Sequence, residues 1–155
     1  ETAEWQAAEA GYSHVQGTKP MSLGIAQSDS PAGLAAWIVE KFRTWSDCGG
    51  DVERVFSKDW LLTNLMFYWA PNSIASAANL YAELGGVLGS LFAPVKVPTG
   101  VAAFPKEIYQ SPRSWLERRF DLRRYTPMPR GGHFAAVEQP ELFLDDVRAF
   151  FRALR

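Results

Sequence analysis

The sequence predicts an α/β fold in which a wholly helical region precedes a small parallel β layer. Two patterns carry this. Residues 1–92 show helical spacing and helix-end residues almost throughout, with no period-two alternation. Residues 93–155 instead run strand, helix, strand, helix, the order that lays parallel strands side by side. The composition agrees: 155 residues, 47% hydrophobic and 14% aromatic, is a globular profile that excludes disorder and low complexity.

The elements follow in order. Residues 2–10 are alanine-rich and read as a short helix closed by Gly11 as a C′ residue. Ser30-Pro31 offers an N-cap with proline at the first helical position, and Leu34, Ile38, Phe42 and Trp45 then mark one apolar face. Ser57 caps a helix containing Trp60, Leu61, Leu65 and Trp69, which Pro71 stops. Asn72 is read as starting the next helix, which runs to Leu84 and ends at Gly85-Gly86. Residues 95–101 form the first strand, where Pro98 implies an edge or a bulge. Pro112 opens a helix through Trp115 and Leu116, and residues 122–128 form the second strand. Pro140 begins the last helix, with Phe143, Val147, Phe150, Phe151 and Leu154 on one stripe.

Charge and cysteine usage narrow the function classes. Sixteen Lys and Arg against 17 Asp and Glu leave a net charge of −1, so no overall field recruits nucleic acid or an anionic membrane. The arginines at 113, 118, 119, 123 and 124 read as a solvated helix face. A lone Cys48 excludes an internal disulfide and any multi-cysteine metal site. Residues 60–82 carry no charge over 23 positions, nominally enough to cross a bilayer. Six polar residues and the Pro71-Asn72 break make two helices the better reading, so no membrane segment is expected in this chain. The polar, acidic opening lacks a signal peptide, which makes the cytoplasm the expected compartment. The chain starts at Glu1, not Met, inside a helix, so the expectation is a piece of something longer.

Ligands and catalytic groups in open α/β sheets collect at the carboxyl ends of strands. One such end holds Glu107 and the next holds Gly131-Gly132-His133-Phe134. Acid before histidine is the order of the last two members of the nucleophile, acid, histidine series of α/β-hydrolases. The nucleophile is missing, for no Gly-x-Ser-x-Gly or similar elbow occurs. Glu138 could compete with Glu107 as the histidine's partner but is read as starting the final helix; Asp29, Asp47 and Asp51 read as loop or capping carboxylates, and His14 as an ordinary polar residue.

Several motifs in unbroken order resemble microsomal-type epoxide hydrolases. They are Gly11-Tyr12-Ser13-His14-Val15-Gln16-Gly17-Thr18-Lys19-Pro20, then Asp29-Ser30-Pro31-Ala32-Gly33-Leu34-Ala35-Ala36-Trp37-Ile38 with Glu40-Lys41-Phe42 and Trp45. Leu61-Leu62-Thr63-Asn64, Tyr68-Trp69, Val97-Pro98-Thr99-Gly100, Phe104-Pro105 and Arg130-Gly131-Gly132-His133-Phe134-Ala135-Ala136 continue the likeness. The resemblance implies the C-terminal portion of an α/β-hydrolase fold, with residues 1–92 as a helical lid and 93–155 as core strands and helices.

It also implies chemistry. In that family an aspartate attacks an epoxide carbon to form an ester, two lid tyrosines hold and protonate the epoxide oxygen, and a histidine oriented by an acid activates the hydrolytic water. Tyr12 and Tyr81 match the tyrosines, Glu107 the acid and His133 the base. No metal or organic cofactor is implied. The implied partners are a small-molecule epoxide and the N-terminal half of the same enzyme, which would carry the nucleophile; a homodimer is left open. Physical chemistry favours these residue types. A tyrosine, with a pKa near ~10, stays protonated at neutral pH and can donate to the opening ring oxygen. A covalent ester divides hydration into two easier steps, and histidine suits the second. An esterase or dehalogenase of the same fold, or a catalytically incomplete binding module, remain the alternatives.

Overall fold

A computed structural model of the chain describes residues 2–84 and 93–155. Its elements are α1 (Thr2–Glu9), α2 (Gly11–Thr18), α3 (Pro20–Asp29), α4 (Pro31–Trp45), a 3-10 turn (Val52–Arg54), α5 (Lys58–Trp69) and α6 (Ile74–Leu84), then β1 (Val95–Ala103), α7 (Arg113–Arg119), β2 (Phe120–Pro127), α8 (Ala135–Glu138) and α9 (Pro140–Arg152). They form two compact units: residues 1–39 with 58–91, and residues 40–57 with 92–155.

The first unit is helical. Its core is Leu34, Leu65 and Ile74, with Ile38, Val39, Tyr68 and Trp69 packed against it. Both α2 and α3 pack on α6. The approach of α3 is close: a Cβ on Gly24 would lie 2.6 Å from the Ala75 Cα. Ser30 caps α4, its Oγ accepting the Gly33 N–H at 3.0 Å.

Two helix boundaries differ from the sequence reading. Gly11 does not close α1 in the left-handed conformation; it is the first residue of α2, and α2 with α3 fills a stretch where the sequence reading placed no helix. Pro20 stands in the first turn of α3, where its missing N–H costs nothing. Asn72 does not start α6 but ends α5. Its φ is +52°, its N–H donates to the Trp69 carbonyl at 3.1 Å, and the Ser73 N–H reaches back to the Tyr68 carbonyl at 2.9 Å. That pair of bonds is a Schellman closure, with asparagine tolerating the left-handed region. The α6 helix then begins from Ser73, whose carbonyl accepts the Ala77 N–H. The predicted stop at Gly85-Gly86 lies outside the described residues.

The second unit holds a two-stranded parallel sheet. Each strand departs by a few residues from the sequence reading, β1 running on to Ala103 and β2 starting at Phe120. Register shifts flank Pro98 and Thr99, as expected of a proline that cannot donate to a ladder. Beneath the strands, α9 docks through Phe150, whose ring lies against Gly100 of β1. It also docks through the buried Asp146 carboxylate, which accepts from Arg124 Nε at 2.6 Å and Thr126 Oγ1 at 2.7 Å on β2. The apolar stripe of α9 is covered only in part: Phe143, Val147 and Phe150 are half-buried, but Phe151 and Leu154 remain 55% and 45% exposed. Among the basic residues, Arg113 pairs with Glu117 and Arg123 with Asp121, while Arg119 lies over the Phe120 ring. No helix among the described residues is long and apolar enough to cross a membrane.

Candidate active site

Parallel pairing carries the two loops of interest to the same end of the sheet. Past the last ladder pair the Met128 N–H still donates to the Ala103 carbonyl, and Lys106 bridges the second loop, its N–H donating to the Gly131 carbonyl at 3.0 Å. The Phe104 side chain is buried. The Glu107 N–H closes that turn on the Phe104 carbonyl.

There Glu107 Oε1 lies 2.7 Å from His133 Nδ1. The same oxygen accepts the Ile108 N–H, so the carboxylate is held from its own backbone. A carboxylate can only accept, so Nδ1 carries the proton, and in the neutral ring the basic lone pair sits on Nε2. The side chains are 40% and 36% exposed, leaving the pair open to water or a ligand. Edge-on contacts with Trp45 and Phe134 restrict the imidazole further, the ring centroids being 5.5 and 5.1 Å away. A cleft of about 320 Å3 beside Glu107, lined also by Tyr109, Leu116 and Tyr125, does not reach His133.

The loop that presents His133 is built from both ends. Gly131 adopts φ +108°, a conformation open to glycine, and a side chain there would strike Phe104 and Gln139. After it, the Phe134 ring enters an aromatic cluster with Phe42 and the fully buried Phe56, at 4.4 and 5.9 Å. Glu138, read from the sequence as a rival partner for the histidine, is buried and bonds backbone amides instead: those of Asp47 at 2.7 Å, Gly132 at 2.9 Å and Phe134 at 2.9 Å. Asp47, read as a loop carboxylate, accepts the Gly131 N–H at 3.0 Å. No local motif announces the two contacts of Asp47, whose partners are 91 and 84 positions away.

The other two candidates meet in the helical unit. Tyr12 on α2 and Tyr81 on α6 stand edge to face, their ring centroids 5.7 Å apart, and both are half-buried. Tyr68 packs against the helical core, whereas Tyr109 is 54% exposed in the second unit. One turn beyond Tyr12, the buried Gln16 accepts the Trp37 indole N–H at 3.0 Å and ties α2 to α4.

A two-stranded parallel sheet with the acid and histidine on successive strand-end loops, in a chain that also holds a helical unit, has the fold of the C-terminal part of an α/β-hydrolase. Within that class the proteins it matches are epoxide hydrolases. The chain is 46% identical to epoxide hydrolase 1 of Sus scrofa over 94% of its own length and 35% of that protein, and 47% identical to epoxide hydrolase 1 of Oryctolagus cuniculus over 92% and 34%. It superimposes on juvenile hormone epoxide hydrolase from the silkworm Bombyx mori with a TM-score of 0.89 at 36% identity, covering 99% of this chain and 40% of that one. For the Aspergillus niger epoxide hydrolase the TM-score is 0.82 at 30% identity, with 99% and 38% covered. The chain thus spans about a third of the length of the curated relatives it matches, in their C-terminal part. No family model matches the sequence.

Proposed function

We propose that this chain supplies the lid and the acid–histidine pair of an epoxide hydrolase, which adds water to an epoxide to give a vicinal diol. The carrying observation is the 2.7 Å pairing of Glu107 with His133 Nδ1 at adjacent ends of two parallel strands. In the first step a carboxylate from outside these 155 residues attacks a ring carbon. The ring C–O bond breaks, an ester forms, and Tyr12 or Tyr81 gives its proton to the departing oxygen. In the second step His133 Nε2 takes a proton from water, and the hydroxide adds to the acyl carbon. The ester C–O bond breaks, and the imidazolium returns the proton to the diol oxygen. The nucleophile leaves this step as an acid, and its proton restores the tyrosine. Glu107 stabilises the imidazolium in between, as a paired carboxylate does in hydrolase triads.

Substitution in the complete enzyme tests the reading. His133→Ala should still form the ester from styrene oxide and then stall, so that a covalent adduct of one epoxide accumulates by intact mass. Full turnover by both His133→Ala and Glu107→Ala would refute it.

A further inference from the structure

The loop that carries His133 is held by a carboxylate that takes no part in the proton transfers just described. Glu138 is 9% exposed. Its Oε2 accepts the N–H of Gly132 at 2.9 Å and of Asp47 at 2.7 Å, while Oε1 accepts the N–H of Phe134 at 2.9 Å. Gly132 and Phe134 bracket His133, whose own N–H donates to the Trp45 carbonyl at 3.0 Å. Asp47 completes the set by accepting from Gly131 at 3.0 Å. Every backbone N–H from 131 to 134 is therefore bound, and every acceptor comes from residues 45–47 or from Glu138.

The fit leaves no slack. A Cβ on Gly132 would stand 2.7 Å from the Trp45 carbonyl oxygen, 3.1 Å from the Asp47 nitrogen and 3.1 Å from Glu138 Oε1. A carboxylate suits this place because both its oxygens accept and charge-assisted bonds to N–H groups are short and strong. Its glutamine analogue would turn an NH2 group toward N–H donors and lose at least one of the three bonds.

We propose that Glu138 is a positioning residue for the ester-hydrolysing step, which it serves by fixing the backbone on either side of His133. Glu107 sets the tautomer of the imidazole; Glu138 sets where the imidazole stands. The proposal rests on His133 being the base, and it has a kinetic signature. His133 enters only when water attacks the ester, so a displaced ring slows the second step and spares the first. Misplacement by about an ångström can cost roughly 100-fold.

The test is single-turnover kinetics of the complete enzyme with styrene oxide, following ester formation and ester decay separately. Glu138→Gln should form ester within about twofold of the unmodified rate and hydrolyse it 10- to 100-fold more slowly, so the adduct accumulates. Glu138→Asp, which keeps the charge, should recover part of the hydrolysis. Asp47→Asn, a milder change that removes charge but keeps an acceptor, should slow hydrolysis three- to tenfold and decides the matter if the Glu138 variants fail to fold. An adduct that accumulates in His133→Ala while the Glu138 and Asp47 variants hydrolyse at the unmodified rate would overturn the proposal. Equal slowing of both steps would do so too. No adduct in any variant, His133→Ala included, would instead strike at the proposed function itself.

Discussion

Tyr12 and Tyr81 meet edge to face, with ring planes inclined at 82° and centroids 5.7 Å apart. The contact joins α2 to α6 through the two residues that carry the hydroxyls proposed to activate the epoxide. Phenylalanine at either position keeps the ring and removes only the O–H. Tyr12→Phe and Tyr81→Phe should each slow ester formation by about 100-fold, within the range of acid–base contributions. The double variant should nearly abolish it. The unfolding midpoint of Tyr81→Phe in urea should barely move, whereas Tyr81→Ala should lose the aromatic pair, worth about 0.5–1.5 kcal/mol beyond burial.

Glu107→Gln tests the charge beside His133. The amide oxygen can still accept from Nδ1, so the geometry survives, but the imidazolium loses its counter-charge. Hydrolysis of the ester should fall by roughly 100-fold or more, with ester formation little changed. Rapid-quench measurement of the two steps checks this, and equal rates in the variant and the unmodified enzyme would contradict it.

Two helical glycines should behave oppositely. A Cβ on Gly24 would run into the Ala75 backbone at 2.6 Å, while one on Gly17 meets nothing within 4 Å. Gly24→Ala should destabilise by about 1–3 kcal/mol through overpacking. Gly17→Ala should be neutral or stabilise by up to about 1 kcal/mol, from helix propensity alone. Denaturant unfolding curves distinguish them.

Asp146 joins α9 to β2 through Arg124 and Thr126. Its replacement by alanine leaves both donors without that acceptor and should cost about 1.5–3 kcal/mol, the range for hydrogen bonds to a charged group. Amide exchange in α9 and the adjacent strand should rise together. Protection in α9 unchanged from the unmodified protein would show that the ion pair is not what anchors the helix.

Legibility in the sequence follows the range of each interaction. The capping of α4 by Ser30 and the start of α9 at Pro140 were readable because their signals lie within four residues of the boundary. So was the parallel order of the strands, and so were Glu107 and His133 as loop residues after them. Asn72 is ambiguous in the sequence because asparagine both caps helices and accepts a left-handed φ, and only the two carbonyl bonds made at the turn show that it ends α5. The helices α2 and α3 are illegible in the sequence for a different reason. Glycine at 11, 17 and 24 weakens their local signal, and packing against α6 offsets the lost propensity.

By itself the sequence determined the α/β class, several helix ends, and the residue types from which an acid–base pair could be drawn. On the residues alone Glu138 remains a rival to Glu107 as the histidine's partner; the family resemblance points to Glu107. Tertiary structure decided that Glu107 lies at Nδ1 while Glu138 and Asp47 grip the backbone around it. The physical reason is separation: a cap is a bond between residues that are already neighbours, whereas the Asp47–Glu138 contact spans 91 positions and exists only once the chain has folded back on itself.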